Sequence, residues 1–490
     1  VETPPVTVED IEKSEYKEIW LSAMRAELNG HETAGTFSKG EIPKEVNIIT
    51  AKWVFTWKTD ANGTVTKAKA RLVARGFGQR FAVDYFETFA ATPAMTSIKL
   101  VMAVAVQRGW PLHHFDVTQA FVRAKMDTNV FMKLPEGCGP LTGNPVRLEK
   151  SIYGVKQAGR QWSLLLNKTL VEDVKMSQSK ADPCVYRLEG NGEVCVILVV
   201  HVDDILIGGE TKSVETVCNI LNNRFPTNNL GEAQWYMGCG IEKNWKRGTM
   251  FVNQTTFVDT MLKRFEVTEF SDIPASVSAD LGSVKQGDKV FDRPYRSAVG
   301  GLMWLAGVTR PDIANAARDL ARQSHDSCER HWRGVFKVLA YLNTTRNYGL
   351  TFSSGESRLT VYCDADYAKK DTDRRSVFRT SRTQHCVTLS TTEAEYVAMA
   401  EGAKECMFVR SVLSFLRPKI ALGRQVEYDI VLYEDNEGAK ALADNRLSSG
   451  RSKQIDVRWH FIRDLVRTGA VRTVHVDSEW QHADSLTKPL

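Results

Sequence analysis

The sequence predicts an α+β protein of about three globular units, because 490 residues exceed what one compact core organises. Short Val- and Ile-rich runs bounded by turn residues are typical of β-hairpins, and longer segments with apolar residues at helical spacing are typical of amphipathic helices. With 43% apolar and 25% charged residues, the composition is that of a globular protein. No apolar run approaches the roughly 20 residues of a membrane helix, and the first residues carry no signal-peptide pattern, so we expect no membrane association.

The cysteines and the charge distribution narrow the functional classes. The nine cysteines form no C-x-x-C pair and no zinc pattern with histidine, so we expect reduced thiols. A formal net charge of +5 does not by itself indicate a nucleic-acid partner. Basic residues are nevertheless concentrated in one segment that has almost no acids. They are Lys52, Lys58, Lys67, Lys69, Arg71, Arg75 and Arg80. Such a cluster is either a solvated face, which is the commoner case, or a phosphate-binding surface.

The N-terminal third predicts a helix, a basic hairpin, and a second helix followed by a strand. Apolar residues at helical spacing predict an amphipathic helix over residues 11–28, whose role is packing. Residues 51–77 predict two strands joined by an Asn-Gly turn, and the returning strand displays the basic side chains. A helix over 96–108 then leads to a strand with one acid, Asp116, among apolar neighbours. Asp116 is either a turn or N-cap residue or a metal ligand brought beside other acids.

The stretch VCVILVVHVDDILIGG, residues 194–209, carries the strongest local signal. Two Val- and Ile-rich runs flank Asp203 and Asp204, which predicts a β-hairpin with two adjacent carboxylates at its bend. At an effective dielectric near 20, carboxylates about 4 Å apart repel by about 4 kcal/mol, and a bound Mg²⁺ would offset that repulsion. The alternative is an Asp-rich turn exposed to solvent.

Further acids lie in the C-terminal third of the chain. Asp364 and Asp366 end a predicted strand, Glu393 and Glu395 stand near the start of a long predicted helix, and Asp435 follows another strand. Acids at helix N-termini are common caps, and this is the alternative for Glu393 and Asp435.

Taken in order, these features resemble the reverse-transcriptase and RNase H region of the Pol polyprotein of copia-type LTR retrotransposons. The resemblance rests on a dozen ordered blocks, which include KARLVARGFGQ, FDVTQAFV, IYGVKQAGRQW, VDDILIGG, STTEAEYVAMA and ADSLTKPL. It implies a right-hand polymerase fold with fingers, palm and thumb, followed by an RNase H-like α/β domain. The implied domains are fingers and palm (1–230), a primer-grip hairpin and thumb helix (231–270), a Ser-, Asp- and Gly-rich linker (271–293), a helical connection (294–356) and the RNase H-like domain (357–490).

The resemblance also implies the residues of two active sites. Asp116, Asp203 and Asp204 match the palm carboxylates that hold two Mg²⁺, with Mn²⁺ as a substitute. Asp364, Glu395, Asp435 and Asp484 match the four acids that bind two Mg²⁺ in RNase H. The matching substrate-binding positions are Arg71 at the nucleotide phosphates, Gln157 in the nucleotide pocket, Phe121 against a ribose 2′-OH, and Met237 with Gly238 at the primer grip. By residue type alone, a core aromatic is the commoner role for Phe121.

The sequence departs from the family pattern in three places. His201 stands where the family hairpin usually has Tyr, and Gly159 stands where it usually has Pro. After Ser376 the family has a full strand and most of the next, whereas this chain passes to SRTQ through VFRT alone. At roughly 5 to 6 residues per strand, two central strands cannot both be built from what remains. We therefore expect the RNase H-like domain to lack part of its central sheet and its cleavage to be impaired.

The implied function is RNA-directed and DNA-directed DNA synthesis with an attached RNase H. The expected partners are an RNA template, a DNA primer, RNA–DNA hybrid, deoxynucleoside triphosphates and the upstream integrase of the same polyprotein. The expected location is the cytoplasm, in virus-like particles, with entry into the nucleus. The alternative is a catalytically degenerate, nucleic-acid-binding remnant. An integrase, whose core shares the RNase H fold, fits less well because the polymerase blocks have no counterpart there.

Overall fold

The computed structural model describes residues 2–39, 42–43, 45–59, 64–276, 281–288, 293–355, 359–366, 377–378, 382–383, 390–416, 430–444 and 457–487. Numbered along the chain, the helices are α1 (Val8–Ile11), α2 (Lys17–Ala34), α3 (Met95–Arg108), α4 (Ala158–Lys168), α5 (Thr211–Arg224), α6 (Thr255–Arg264), α7 (Tyr295–Val308), α8 (Ala314–Ala321), α9 (Glu329–Thr344), α10 (Thr391–Leu416), α11 (Glu437–Asp444), α12 (Val457–Arg467) and α13 (Asp484–Thr487). The strands are β1 (Phe37–Ser38), β2 (Ile48–Thr59), β3 (Val65–Ala74), β4 (Leu112–Val117), β5 (Lys125–Lys133), β6 (Pro145–Lys150), β7 (Ser177–Gln178), β8 (Val185–Gly190), β9 (Glu193–His201), β10 (Asp204–Gly209), β11 (Thr227–Glu232), β12 (Trp235–Tyr236), β13 (Cys239–Asn244), β14 (Thr249–Asn253), β15 (Gly349–Ser353), β16 (Leu359–Tyr362), β17 (Ala365–Asp366), β18 (Val377–Phe378), β19 (Arg382–Thr383), β20 (Ile430–Glu434) and β21 (Val471–His475). They form two compact units, Val1–Ala94 with Leu112–Glu232, and Met95–Pro111 with Ala233–Leu490.

The first unit contains a five-stranded sheet of order β1-β6-β5-β2-β3. Its long antiparallel pair β2 and β3 is the predicted basic hairpin, and the predicted turn at 60–63 lies outside the described residues. Helix α2 packs on β3, where alternating alanines such as Ala68 and Ala70 allow a close approach. The helix predicted over 11–28 is in fact α1 followed by α2, and α2 continues until Gly35 adopts a left-handed conformation (φ 63°).

The second sheet of this unit has six strands in the order β11-β4-β10-β9-β8-β7. The predicted hairpin of residues 194–209 is confirmed as β9 and β10. Both strands are buried over most of their length, which explains their continuous apolar runs. Strand β10 lies between β9 and β4, so the bend of the hairpin meets the end of β4.

The second unit combines an antiparallel sheet, β12-β13-β14-β15, with a helical core from α6 to α9. The predicted helices near 255–265 and across 295–350 are confirmed as α6 and as α7 to α9. The described residues of the expected linker contact this core: Leu281 packs against it, and Arg330 donates to the carbonyls of Gly282 and Ser283.

The end of the second unit is a parallel sheet, β16-β20-β21, packed against α10, α11 and α12. Strand β17 follows β16 closely and begins an antiparallel set, β17-β18-β19. In the described part of the chain, each strand of that set has two residues. The shortening expected between Ser376 and SRTQ falls on β18 and β19.

Candidate active site

The hairpin bend brings the three predicted polymerase acids to one edge of the six-stranded sheet. Asp204 lies directly opposite Asp116 in the β10–β4 pairing, so both side chains stand on the same face. Asp203 lies in the two-residue bend, and its carbonyl accepts a bond of 3.0 Å from the Val117 backbone N–H. The other bend residue, Val202, has φ 59°, which is unfavourable for a β-branched residue and fixes the turn tightly.

The electrostatics of this edge favour a bound cation. Burial raises the pKa of the Asp203 carboxyl above its ordinary value, and the charges of Asp204 and Asp116 raise it further. Carboxylate oxygens are the ligands that Mg²⁺ prefers. Asp116, Asp203 and Asp204 thus supply donors of the type that a divalent metal takes, but among the described residues their oxygens do not all lie within 4.8 Å of one another.

His114, two residues before Asp116 on β4, orients the carboxylate of Asp204. Its Nε2 lies 2.8 Å from Oδ1 of Asp204. Asn228 on β11 donates to Oδ2 of Asp116 at 3.5 Å and to the Thr118 hydroxyl at 3.1 Å. Neighbouring strands thus hold two of the three carboxylates. The alternation of β4 places His114 and Asp116 on one face, a signal that was available in the sequence.

A cavity of about 380 Å³ opens beside Asp116 and Asp203. Four cations of β2 and β3 also line it, which are Lys58, Lys67, Lys69 and Arg71. Burial lowers the pKa of Lys69, and the neighbouring cations lower it further. The cavity is therefore lined by both acids and cations, a composition that suits a metal-bound polyphosphate.

The predicted substrate-binding residues fall in different places. Arg71 lines the cavity, with its guanidinium 5.2 Å from the centre of the Tyr153 ring. Phe121 is half-buried, packs edge-on against Tyr153 and is not among the cavity residues. Gln157 is fully buried beneath the surface and bonded through its side chain to four residues. In the second unit, Met237 and its neighbour Gly238 form a turn with φ 48° and 78° between β12 and β13.

A second acidic cluster lies at the ends of the parallel strands of the second unit. Asp364 follows β16, Glu395 lies near the start of α10, and Asp435 follows β20. One oxygen from each lies within 4.8 Å of the others. Burial, together with the charges of Glu434, Asp364 and Asp435, raises the pKa of Glu395 to about 10. Uncompensated acids this close together fit a divalent cation.

The remaining acids of this region have different positions. Glu434, fully buried on β20, was not predicted from the sequence, and burial raises its pKa to about 8. Asp484 begins α13 and is not among the three acids whose oxygens converge. Ser390, rather than Glu393, caps α10, because its hydroxyl accepts the Glu393 backbone N–H at 3.2 Å. The side chain of Asp366 lies outside the described residues.

Comparison with known proteins gives the family of this chain. Residues 35–277 match the profile of a reverse transcriptase (RNA-dependent DNA polymerase) family. The chain is 30% identical, over 99% of its length, to the Retrovirus-related Pol polyprotein from transposon TNT 1-94 of Nicotiana tabacum, and 34% identical, over 96%, to that from transposon RE2 of Arabidopsis thaliana. The chain belongs to the copia-type Pol polyproteins, in their reverse-transcriptase region.

This copia-type chain spans 38% and 33% of the lengths of those two relatives. A solved structure, titled as the foamy viral protease-reverse transcriptase in complex with double-stranded DNA, is 11% identical, covers 93% of this chain and 69% of its own, and has a TM-score of 0.46. Among the described helices of the copia-type chain, none has the length and apolar character needed to cross a bilayer.

Proposed function

We propose that the chain is an RNA-directed and DNA-directed DNA polymerase of a copia-type retrotransposon. One observation carries the proposal: Asp204 lies opposite Asp116, with Asp203 in the adjoining bend, and Asp116 and Asp203 line the same cavity as Lys69 and Arg71. Acids remote in sequence that meet in a cleft, with a raised pKa at Asp203, are typical of a functional site. Family membership supports the same function.

The acids at this edge of the sheet and the cations of the cavity divide the work of nucleotidyl transfer. Asp116, Asp203 and Asp204 would hold divalent cations, which would supply the charge that activates a primer 3′-OH and stabilises the leaving pyrophosphate. Arg71 and Lys69 bind the triphosphate of the incoming deoxynucleotide, because both point into the cavity from β3. The polymerase comprises fingers and palm (1–230) and a primer-grip hairpin with a thumb helix (231–270).

Primer extension tests this function. The full chain is given an RNA template, a DNA primer, deoxynucleotides and Mg²⁺, and we expect incorporation that falls at least about 100-fold in Asp203→Asn. The matched control is Asp173→Asn, which removes an exposed carboxylate that does not line the cavity. Binding of the template–primer without incorporation by the unaltered chain would contradict the proposal and identify the degenerate remnant instead.

We also propose that the second acidic cluster is an RNase H site that cleaves RNA in RNA–DNA hybrids. The supporting observation is the convergence of Asp364, Glu395 and Asp435 within 4.8 Å at the ends of β16 and β20. The cluster belongs to the proposed RNase H-like domain (357–490), which follows the linker (271–293) and the helical connection (294–356). The proposed partners of the whole product are nucleic acids and its integrase, in cytoplasmic virus-like particles.

A further inference from the structure

A buried acid on α2 has no role in the polymerase site described so far. The inward face of α2 repeats every three or four residues, and its buried members are Trp20, Met24, Glu27, His31 and Ala34. Glu27 is 8% exposed within this stripe. A carboxylate buried in an apolar stripe is costly unless its oxygens are bonded, so its partners indicate its role.

Both oxygens of Glu27 are bonded, one to strand β3 and the other to the loop after β4. Oε1 accepts the backbone N–H of Leu72 on β3 at 3.2 Å. Oε2 accepts the side-chain amide of Gln119 at 3.0 Å. Burial opposes the charge of Glu27, but the attraction of His31, whose Nε2 lies 3.6 Å from Oε1, and the bonds from Gln119 and Leu72 outweigh it and lower the pKa of the carboxyl. The charged form of Glu27 therefore joins the basic strand to the loop after β4.

Gln119 is held in an unusual conformation by this contact. It lies three residues after Asp116 with φ 50°, in the left-handed region that few residues other than glycine adopt. Its side chain lies across α2 at Gly30, where an added Cβ would collide with the side-chain oxygen of Gln119. Glu27 and Gly30 are thus two independent features of α2 that fix the same side chain.

We propose that Glu27 is a positioning residue for the nucleotide cavity, acting through Gln119 on the loop that follows Asp116. Glu27, Gln119, Ala23 and Ala26 all line the cavity. Helix α2 precedes residues 35–277, the part that matches the family profile, so the proposal adds a segment to the catalytic unit. It rests on the proposed polymerase function, because the cavity is taken as the nucleotide site.

Four variants of the full chain test the proposal by extension kinetics and thermal unfolding. In Glu27→Gln we expect the KM for deoxynucleotide to rise about tenfold, equivalent to about 1.4 kcal/mol, with kcat within about twofold. Gly30→Ala should raise KM similarly while the melting temperature stays level or rises, because alanine favours the helix. Gln119→Glu alone should raise the KM for deoxynucleotide further, because the carboxylates of residues 27 and 119 then face each other. Combining it with Glu27→Gln should restore KM, because donor and acceptor are exchanged.

The matched control is Glu32→Gln, an exposed carboxylate one turn further along the same helix, which should change neither quantity. An unchanged KM in Gly30→Ala and Glu27→Gln, or a double variant no better than Gln119→Glu, would overturn the positioning role and leave Glu27 as part of the core.

The proposed function and the positioning role fail in distinguishable ways. If the unaltered chain extends no primer, the polymerase function fails, and binding of dTTP with Mg²⁺ is then measured by its effect on the melting temperature. Stabilisation of the unaltered chain that is lost in Gly30→Ala supports the positioning role in a nucleotide-binding cavity. No stabilisation of the unaltered chain overturns both proposals.

Discussion

Replacing Gln157 by Ala distinguishes a structural role from a substrate-binding one. The family resemblance predicts this side chain in the nucleotide pocket, whereas the structure buries it completely at the start of α4. Its oxygen accepts the Gln79 amide at 2.9 Å. Its amide donates to the Asp84 carbonyl at 2.8 Å and the Thr128 hydroxyl at 3.1 Å, with a longer contact to Asp127 at 3.3 Å. These bonds tie α4 to the segment after β3 and to β5.

The cost of Gln157→Ala follows from the groups left behind. Gln79 is 5% exposed and Asp84 is 1% exposed, so water does not readily replace the lost side chain. Each buried polar group left unsatisfied costs roughly 1–3 kcal/mol, and Asp84 keeps a second donor in Thr128. We therefore expect a loss of about 2–4 kcal/mol in the free energy of unfolding. For a unit of this size, that corresponds to a fall of roughly 5–12 °C in melting temperature.

Calorimetry of the full chain, paired with measurement of the KM for deoxynucleotide, checks this expectation. Gln161→Ala is the matched control, because Gln161 lies one turn further along α4 and no hydrogen bond of its side chain is found among the described residues. A Gln157→Ala variant that melts within about 2 °C of the unaltered chain but has a raised KM would refute the reasoning from burial. It would favour direct contact between Gln157 and the nucleotide.

Two further predictions concern charges in each unit. Asp203→Asn should raise the melting temperature measured in EDTA at neutral pH, because burial and the neighbouring acids raise the pKa of Asp203, so its charge opposes folding. The same variant should lose primer extension in Mg²⁺. A lower melting temperature would count against this. Arg310→Lys should lower the free energy of unfolding by about 3–5 kcal/mol in urea titration, because the fully buried guanidinium binds Asp312 and the carbonyl and hydroxyl of Thr345. A loss below about 1 kcal/mol would show that lysine replaces these bonds.

Local patterns made the 194–209 hairpin predictable from the sequence. Two apolar runs and two acids at the bend are all contained in one short stretch. The pairing of that hairpin with β4 is a contact between distant segments, and no pattern near Asp116 specifies its neighbouring strand. The local pattern left Asp116 as either a cap or turn residue or a metal ligand, and the resemblance to a family favoured the ligand.

Buried acids were the residues that sequence reasoning missed. Glu27 occupies a position in the apolar stripe of α2, and Glu434 shares the inward face of β20 with Ile430 and Leu432. Each position follows from the helical or strand period, but an acid there is ordinarily taken as exposed. The partners of the Glu27 carboxylate, Leu72 and Gln119, come from distant segments that no local pattern specifies, whereas Oε1 of Glu434 accepts the nearby backbone N–H of Asn436 at 3.1 Å.

The two-residue strands β18 and β19 do not carry the acids of the proposed RNase H site. Asp364, Glu395 and Asp435 belong to the ends of β16 and β20 and to α10, whereas the shortening expected from the sequence falls on β18 and β19. We therefore expect Mg²⁺ to raise the melting temperature of the full chain, an effect that Asp364→Asn reduces and Glu437→Gln, an exposed acid on α11, leaves intact. Cleavage of RNA–DNA hybrid should be slow and should disappear in Asp364→Asn. Stabilisation without cleavage would locate the impairment in the substrate contacts of the short strands, and cleavage unaffected by Asp364→Asn would refute the assignment of this cluster.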